Sequence, residues 1–306
     1  MKKLSLPART YIEMLNKCSE GMKQINVRNN FIAHFPTFLH KEQQYRALSS
    51  TGQLFTYART HPLAPTTLVV GNLTKVKLEN LYENNLRDKN KPAREYYDDM
   101  LVSSGEKCPF CGDIGQTKNI DHFLPVAHYP EFSVMPINLV PSCRDCNMGE
   151  KGQVFAVDEE HQAIHPYIDK DIFFREQWVY ANFVSGTPGA ISFYVECPAT
   201  WRQEDKHRAI HHFTLLNIAN RYRLEAGKHL SEVITQRNSF VKVIRQFSPI
   251  ATSQQLRSAF IEANLKPIID LNDFPNYWKR VMYQCLACLL YTTPSPRDCF
   301  SGGSRT

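Results

Sequence analysis

No stretch of this chain is long and apolar enough to read as a membrane span. The start, Met1-Lys2-Lys3-Leu4-Ser5-Leu6-Pro7, has basic residues but lacks the apolar run of a secretory signal. Both absences point to a cytoplasmic protein with no membrane partner. Thiols stay reduced in that compartment, so the nine cysteines are not expected to form a disulfide framework. Those that come in pairs call for a metal or for a place in the core. No internal repeat stands out and no ATPase motif is present. A hydrophobic fraction of 42% with 22% charged residues excludes a disordered or collagen-like chain. At 306 residues there is enough chain for a substantial core, in one large domain or two modest ones.

What is present begins with a basic excess. Net charge is +6, which suits a polyanionic partner without establishing one. Between Trp201 and Arg245 nine Lys/Arg stand against four acids, enough for a helical segment to track a phosphate backbone or simply to form a solvated face.

Residues from Pro7 to Ala47 read as helical with a break at Pro36. Thr74 is placed to cap a helix carrying Leu78, Leu81, Tyr82 and Leu86, and a second helix is expected from Pro92 through Met100 and Leu101. Trp178–Val184 and Ala190–Val195 are β-rich runs around a Ser-Gly-Thr-Pro-Gly turn and predict a hairpin. Trp278, Val281, Met282, Cys285 and Leu289 mark one face of a C-terminal helix. These divide the chain into a helical region at 1–73, a central domain at 74–170 and a hairpin-plus-helix region at 171–288. Residues 289–306 read as a non-native tail, because they abandon every preceding pattern and resemble the translation of a sequencing adapter.

The most informative window holds Cys108-Pro-Phe-Cys111, Asp121-His122-Phe-Leu-Pro125 and Asn138-Leu-Val-Pro-Ser-Cys143-Arg-Asp-Cys146-Asn147. Two Cys-x-x-Cys knuckles can supply four thiolates and close a tetrahedral shell, the signature of structural Zn²⁺. The 31 residues between the knuckles exceed a simple zinc ribbon, and the insertion carries Asp121 and His122. A neutral histidine can take a proton from water. Asp121 and the Asn147 amide oxygen can offer hard ligands to Mg²⁺ or Mn²⁺ while leaving positions for phosphate and water. Cys285 and Cys288 share the knuckle spacing but lie on the apolar helix with no second pair, so packing is expected of them.

This window resembles the HNH branch of the His-Me finger nucleases in its four-cysteine, McrA-like form. The resemblance implies a zinc-bound ββα finger in a mixed α+β protein, with Asp121 and His122 ending the first strand. It places Asn138 before the second strand and Asn147 on a helix starting near Cys143. Lys91-Pro-Ala-Arg-Glu-Tyr-Tyr97, Tyr129-Pro-Glu-Phe-Ser133, His165-Pro-Tyr-Ile-Asp169 and the Trp178 hairpin extend it to bacterial stand-alone HNH proteins.

The implied activity is metal-dependent hydrolysis of a nucleic-acid phosphodiester, DNA before RNA. The implied setting is restriction or anti-phage defence, in some systems beside an ATPase partner. His122 would be the base, Asp121 and Asn147 the ligands of the catalytic metal, and Asn138 the residue fixing the loop behind His122. Lys151 would be a phosphate contact, although the family's usual lysine falls at Glu150 here, and His165 would line the site or form a turn beside it. A base of ordinary imidazole character would lose activity below a pH of about 6.5. Two other readings stand beside this one: a non-catalytic zinc finger that binds nucleic acid, and an RNA-cleaving toxin using the same residues.

Overall fold

Thr10 starts the first helix by a reciprocal cap. Its hydroxyl accepts from the Glu13 N–H at 3.3 Å, and the Glu13 carboxylate accepts from the Thr10 N–H at 2.7 Å. From there the computed structural model describes residues 1–186, 189–270 and 274–292 as a mixed α+β protein with three two-stranded antiparallel sheets.

Helices α1 (Tyr11–Glu20), α2 (Ile25–Ile32) and α3 (Phe35–Thr51) make up the amino-terminal part. Pro36 lies in the first turn of α3, where its missing N–H costs nothing, so the expected break separates α2 from α3. Gly52 ends α3 in the left-handed conformation at φ 78°. A short hairpin follows, β1 (Leu68–Val70) with β2 (Leu73–Thr74), then α4 (Lys75–Leu81), which runs into a π-helical turn at Tyr82–Arg87. Leu78, Leu81, Tyr82 and Leu86 are all buried, as the spacing predicts. Next comes α5 (Arg94–Val102), then β3 (Asn119–His122), antiparallel to β4 (Leu139–Ser142) with Asp121 opposite Val140 and His122 opposite Leu139.

The chain divides into two units, and the division corrects the three-part reading of the sequence. Unit one is Met1–Asp171 together with Gln203–Leu216, so the expected regions 1–73 and 74–170 form one body. The reason lies in the core: Tyr11 of α1 donates to the Glu131 carbonyl at 2.8 Å, and Tyr45 of α3 is buried among central residues. An N-terminal region that supplies buried side chains to its neighbour's core is not a separate domain.

Within unit one, α7 (Gln203–Leu215) is anchored by Arg208, which is fully buried. The Arg208 guanidinium contacts both oxygens of Asp169 and donates to the carbonyls of Gln162 and Ala163 at 3.1 and 3.3 Å. The basic residues of Trp201–Arg245 therefore do not all face solvent. Arg208 faces inward and Arg237 is also buried, while residues 203–216 and 217–245 belong to different units.

Unit two holds α6 (Ile172–Arg175), β5 (Val179–Val184), β6 (Ala190–Val195), α8 (Ile218–Phe247), α9 (Ser253–Phe260), α10 (Lys266–Asp270) and α11 (Trp278–Thr292). Helix α8 lies along β6 and α11 along β5. The buried Asn276 clamps the start of β5: its Oδ1 accepts from the N–H groups of Trp178 and Val179 at 2.8 and 3.0 Å. Ile191 and Phe193 face inward, as the strand alternation predicts.

On α11 the fully buried stripe runs through Trp278, Met282, Leu286 and Leu290, while Cys288 is exposed. Core packing was therefore the wrong expectation for Cys288. The helix itself runs past residue 288 to Thr292, with Leu290 buried. The rest of the expected tail, 293–306, lies outside the described residues.

Candidate metal centre and catalytic cleft

Four thiols converge where the sequence places two knuckles. Cys108 and Cys111 lie in the loop after α5. That loop is turned by two left-handed residues, Gly112 at φ 61° and Asp113 at φ 69°. The turn lets Asp113 N–H reach the Cys108 carbonyl at 3.0 Å and Gly115 N–H reach the Cys111 sulfur at 3.4 Å. Cys143 and Cys146 follow β4 directly. All four Sγ atoms are buried and lie within 4.8 Å of one another, so the set could hold a metal ion such as zinc.

The Cys111 to Cys143 separation is 3.9 Å, close to the edge of about 3.8 Å of a tetrahedron with zinc–sulfur bonds. That is far beyond a disulfide, and the four cysteines are unbridged. Burial pushes the Cys108 thiol well above its ordinary range while its hydrogen bond draws Cys111 down, and a cation among the sulfurs would favour the thiolate form of all four.

Beside the knuckles stand two paired strands and a helical turn. Asp121 and His122 close β3, Asn138 immediately precedes β4, and Asn147 lies on the helical segment that follows Cys143. That segment departs from the expectation of an ordinary helix, being a seven-residue π-helical turn, Asp145–Lys151. Asp121, His122 and Asn147 line one cleft of about 310 Å³, with Pro125 and Gly152 on its walls.

His122 is oriented by Ser133, whose carbonyl lies 2.8 Å from Nε2. A carbonyl only accepts, so Nε2 carries the proton and Nδ1 of the neutral ring keeps its lone pair. Tyr82 packs edge-on to the ring at 4.5 Å. Burial draws the His122 imidazole down from 6.5 to about 4, the Ser133 carbonyl opposes that shift, and Lys151 adds to it. The expected onset of protonation near 6.5 is corrected accordingly. Asp121 is also buried, and desolvation raises its carboxyl against the pull of Lys151.

Lys151 does not face the cleft as a phosphate contact. Its ammonium is buried, 3.0 Å from Asp121 Oδ2, and donates to the His122 carbonyl at 2.8 Å. The contact with Asp121 is one of charge, since no well-directed hydrogen bond reaches the buried Oδ2. The expected phosphate role thus fails because the lysine neutralises a carboxylate inside the protein.

Asn138 is bonded to the chain that follows His122. Its Oδ1 accepts from Leu124 N–H at 2.8 Å, its Nδ2 donates to Leu124 O at 3.2 Å, and its own carbonyl accepts from Phe123 N–H at 2.8 Å. The two residues after His122 are thereby fixed. His165 lies behind this clamp rather than on the cleft wall, fully buried, its Nδ1 accepting from Tyr167 N–H at 3.2 Å. Its Nε2 then carries the proton and donates to Tyr45 Oη at 3.0 Å, while Tyr45 donates to Asn138 Oδ1 at 3.0 Å. Tyr45 and Ser133 were missed in the sequence reading. Tyr45 gives no local signal, and Ser133 acts through its backbone carbonyl, which any residue type could provide.

No family model matches this chain, and no solved structure matches it. The chain is 92% identical to Protein ea31 of Escherichia phage lambda over 287 residues, which are 94% of this chain and 97% of that protein. At that identity over nearly the full length of both, the chain belongs to the family of the phage lambda ea31 protein.

Proposed function

We propose that this protein is a metal-dependent HNH endonuclease that hydrolyses phosphodiester bonds of nucleic acid, preferring DNA. The observation that carries this reading is the convergence of Asp121, His122 and Asn147 on one cleft directly beside a four-cysteine cluster. Hydrolysis requires a nucleophile in line, charge stabilisation at the phosphorus and relief of charge on the leaving oxygen. His122 Nδ1, unprotonated and held by Ser133, accepts the proton of the attacking water.

A buried carboxylate oxygen without a directed donor, together with an amide on the same cleft, is a hard-donor set that fits Mg²⁺ or Mn²⁺. Asp121 and Asn147 would hold that ion, which supplies Lewis acidity at the phosphate. The four cysteines would hold structural Zn²⁺ and fix the orientation of β3, β4 and the π-helical turn.

One observation favours a second reading, a non-catalytic zinc module that binds nucleic acid: the Lys151 ammonium already compensates Asp121. Plasmid nicking in Mg²⁺ or Mn²⁺ separates the two. Wild type should nick and His122→Ala should lose at least a hundredfold, as expected when a general base is removed; equal rates would remove the catalytic assignment. Duplex DNA, single-stranded DNA and tRNA offered side by side distinguish a DNA nuclease from an RNA-cleaving toxin. An ATPase partner and a role in restriction or defence remain part of the proposal by analogy. The ea31 relative is a phage protein, so the contest in which such a nuclease acts includes the phage side.

A further inference from the structure

A second cleft in unit one, about 670 Å³ and so more than twice the size of the catalytic cleft, takes no part in the chemistry above. Helix α3 provides one wall with Lys41 and Leu48. The segment Thr56–Thr60 provides another with Tyr57 and Arg59, and Leu68 of β1 closes the rim. Glu131 also lines it.

Glu131 is the unusual member. It is 4% exposed, and its Oε1 meets Lys41 Nζ at 3.2 Å. Its buried Oε2 has no hydrogen-bond partner. Burial raises its carboxyl, and Lys41 and Tyr57 only partly offset that effect. A carboxylate serving only to pin α3 would be expected to have both oxygens engaged, because leaving a buried acceptor unmet is unfavourable. Here the oxygen without a directed donor belongs to a residue that lines an open cleft, beside the Tyr57 hydroxyl.

The walls define what could meet it. Leu48, Leu68 and the Tyr57 ring offer an apolar and aromatic surface for a flat molecule. Arg59 lays its guanidinium on the Phe155 ring at 4.4 Å, which uses the face of the group and leaves its N–H edge able to donate to an anion. A ligand with an N–H donor at one end, a planar body and an anionic group at the other matches all three. That description is a nucleotide whose base carries an amino group: adenine, cytosine or guanine. Thymine fits poorly, since its single N–H lies between two carbonyls that a carboxylate repels. The cleft also has a short covalent link to the chemistry, because Glu131 stands two residues before Ser133, whose carbonyl orients His122.

We propose that this cleft receives one unstacked nucleotide of the substrate strand and reads its amino-bearing base through Glu131. The inference rests on the nuclease reading for the source of the nucleotide. It narrows the substrate to strands that can splay out a base, either single-stranded or locally opened duplex.

The test is equilibrium binding of dAMP, dCMP, dGMP and dTMP to the full chain, without added divalent cation, by calorimetry. Expected is binding of the three amino-bearing nucleotides, with dTMP about tenfold weaker. Glu131→Gln, whose amide can donate to a carbonyl, should erase that preference. Ala47→Trp, on the exposed face of α3 at the cleft, should block all four while leaving the Lys41–Glu131 pair in place.

Absence of binding to wild type, equal binding of all four, a preference that survives Glu131→Gln, or binding that survives Ala47→Trp would each overturn the proposal. Circular dichroism of both variants shows that any loss is not unfolding. Plasmid nicking by the same wild-type preparation keeps the two claims apart. Nicking without nucleotide binding rejects only the base pocket, and nucleotide binding without nicking rejects the nuclease.

Discussion

Tyr45 of α3 donates a 3.0 Å hydrogen bond to Oδ1 of Asn138, 93 residues further along the chain, and both side chains are fully buried. Asn138 in turn holds Phe123 and Leu124, the residues that follow His122. A tyrosine in the amino-terminal helices thus helps set the path of the chain just after His122.

Tyr45→Phe keeps the ring against Phe132, 5.0 Å away and edge-on, but removes the hydroxyl that joins His165 to Asn138. We expect a stability loss of about 1–2 kcal/mol. We also expect kcat to fall about tenfold or more with KM little changed, since misplacing a base affects the chemical step. Urea denaturation and steady-state nicking read the two effects separately. Unchanged kcat in a destabilised variant would assign Tyr45 a purely structural role.

Lys151→Met leaves Asp121 buried and uncompensated, so the apoprotein should lose about 3–5 kcal/mol. Added Mn²⁺ should then raise the melting temperature of the variant more than that of wild type, because the ammonium no longer shares the carboxylate. Equal shifts in both proteins would show that the cation binds elsewhere.

His165 and His212 are buried and drawn down from 6.5 to about 3, in each case mainly by desolvation. A folded value below the unfolded one means that the unfolded chain takes up protons first. The stability each contributes is therefore complete above about 6.5 and is lost as pH falls toward about 3. At pH 5 the loss amounts to about 2 kcal/mol per histidine. Asp121 and Glu131, raised by burial, act in the opposite sense, so the clean comparison is with a variant. In His212→Gln the glutamine can still accept from Ile164 and donate to Phe110 as the imidazole does. Its stability should fall less between pH 7 and 5 than that of wild type; identical slopes would rule the histidine out as a source of acid sensitivity. For the reaction itself, a His122 value near 4 means that nicking limited by chemistry should stay level from about pH 8 down to about pH 5.

Purified protein should contain one zinc per chain, measured by inductively coupled plasma mass spectrometry. Cys143→Ser should lower zinc content and thermal stability together, and Cys288→Ser, at an exposed position on α11, should change neither. A full zinc complement in Cys143→Ser would place the ion outside the cluster.

The parts of this site that could be read from the sequence are those whose geometry is local. Two Cys-x-x-Cys knuckles and the Asp121-His122 pair each bring donor atoms together over a few residues, and the structure gathers the four sulfurs in one cluster and puts Asp121 and His122 on one cleft. Lys151 was misread because its position follows from the π-helical turn, which carries the side chain inward toward Asp121. Tyr45, Ser133 and the Arg208–Asp169 pair could not be read at all. Their partners lie 93, 11 and 39 residues away, and nothing in a tyrosine, a serine carbonyl or one arginine among nine basic residues announces which contact it makes.

Arg208 also constrains how the molecule is made. Its guanidinium is the charge partner of Asp169, yet thirty-odd residues belonging to the other unit are threaded between them. A nascent chain emerging from the ribosome in order must therefore deliver β5 and β6 before it delivers the helix that seals unit one. Until then the Asp169 carboxylate waits without its partner. Unit one is thus completed only after translation past Leu216, and a contiguous fragment stopping at Asp171 should stay an open, protease-sensitive intermediate.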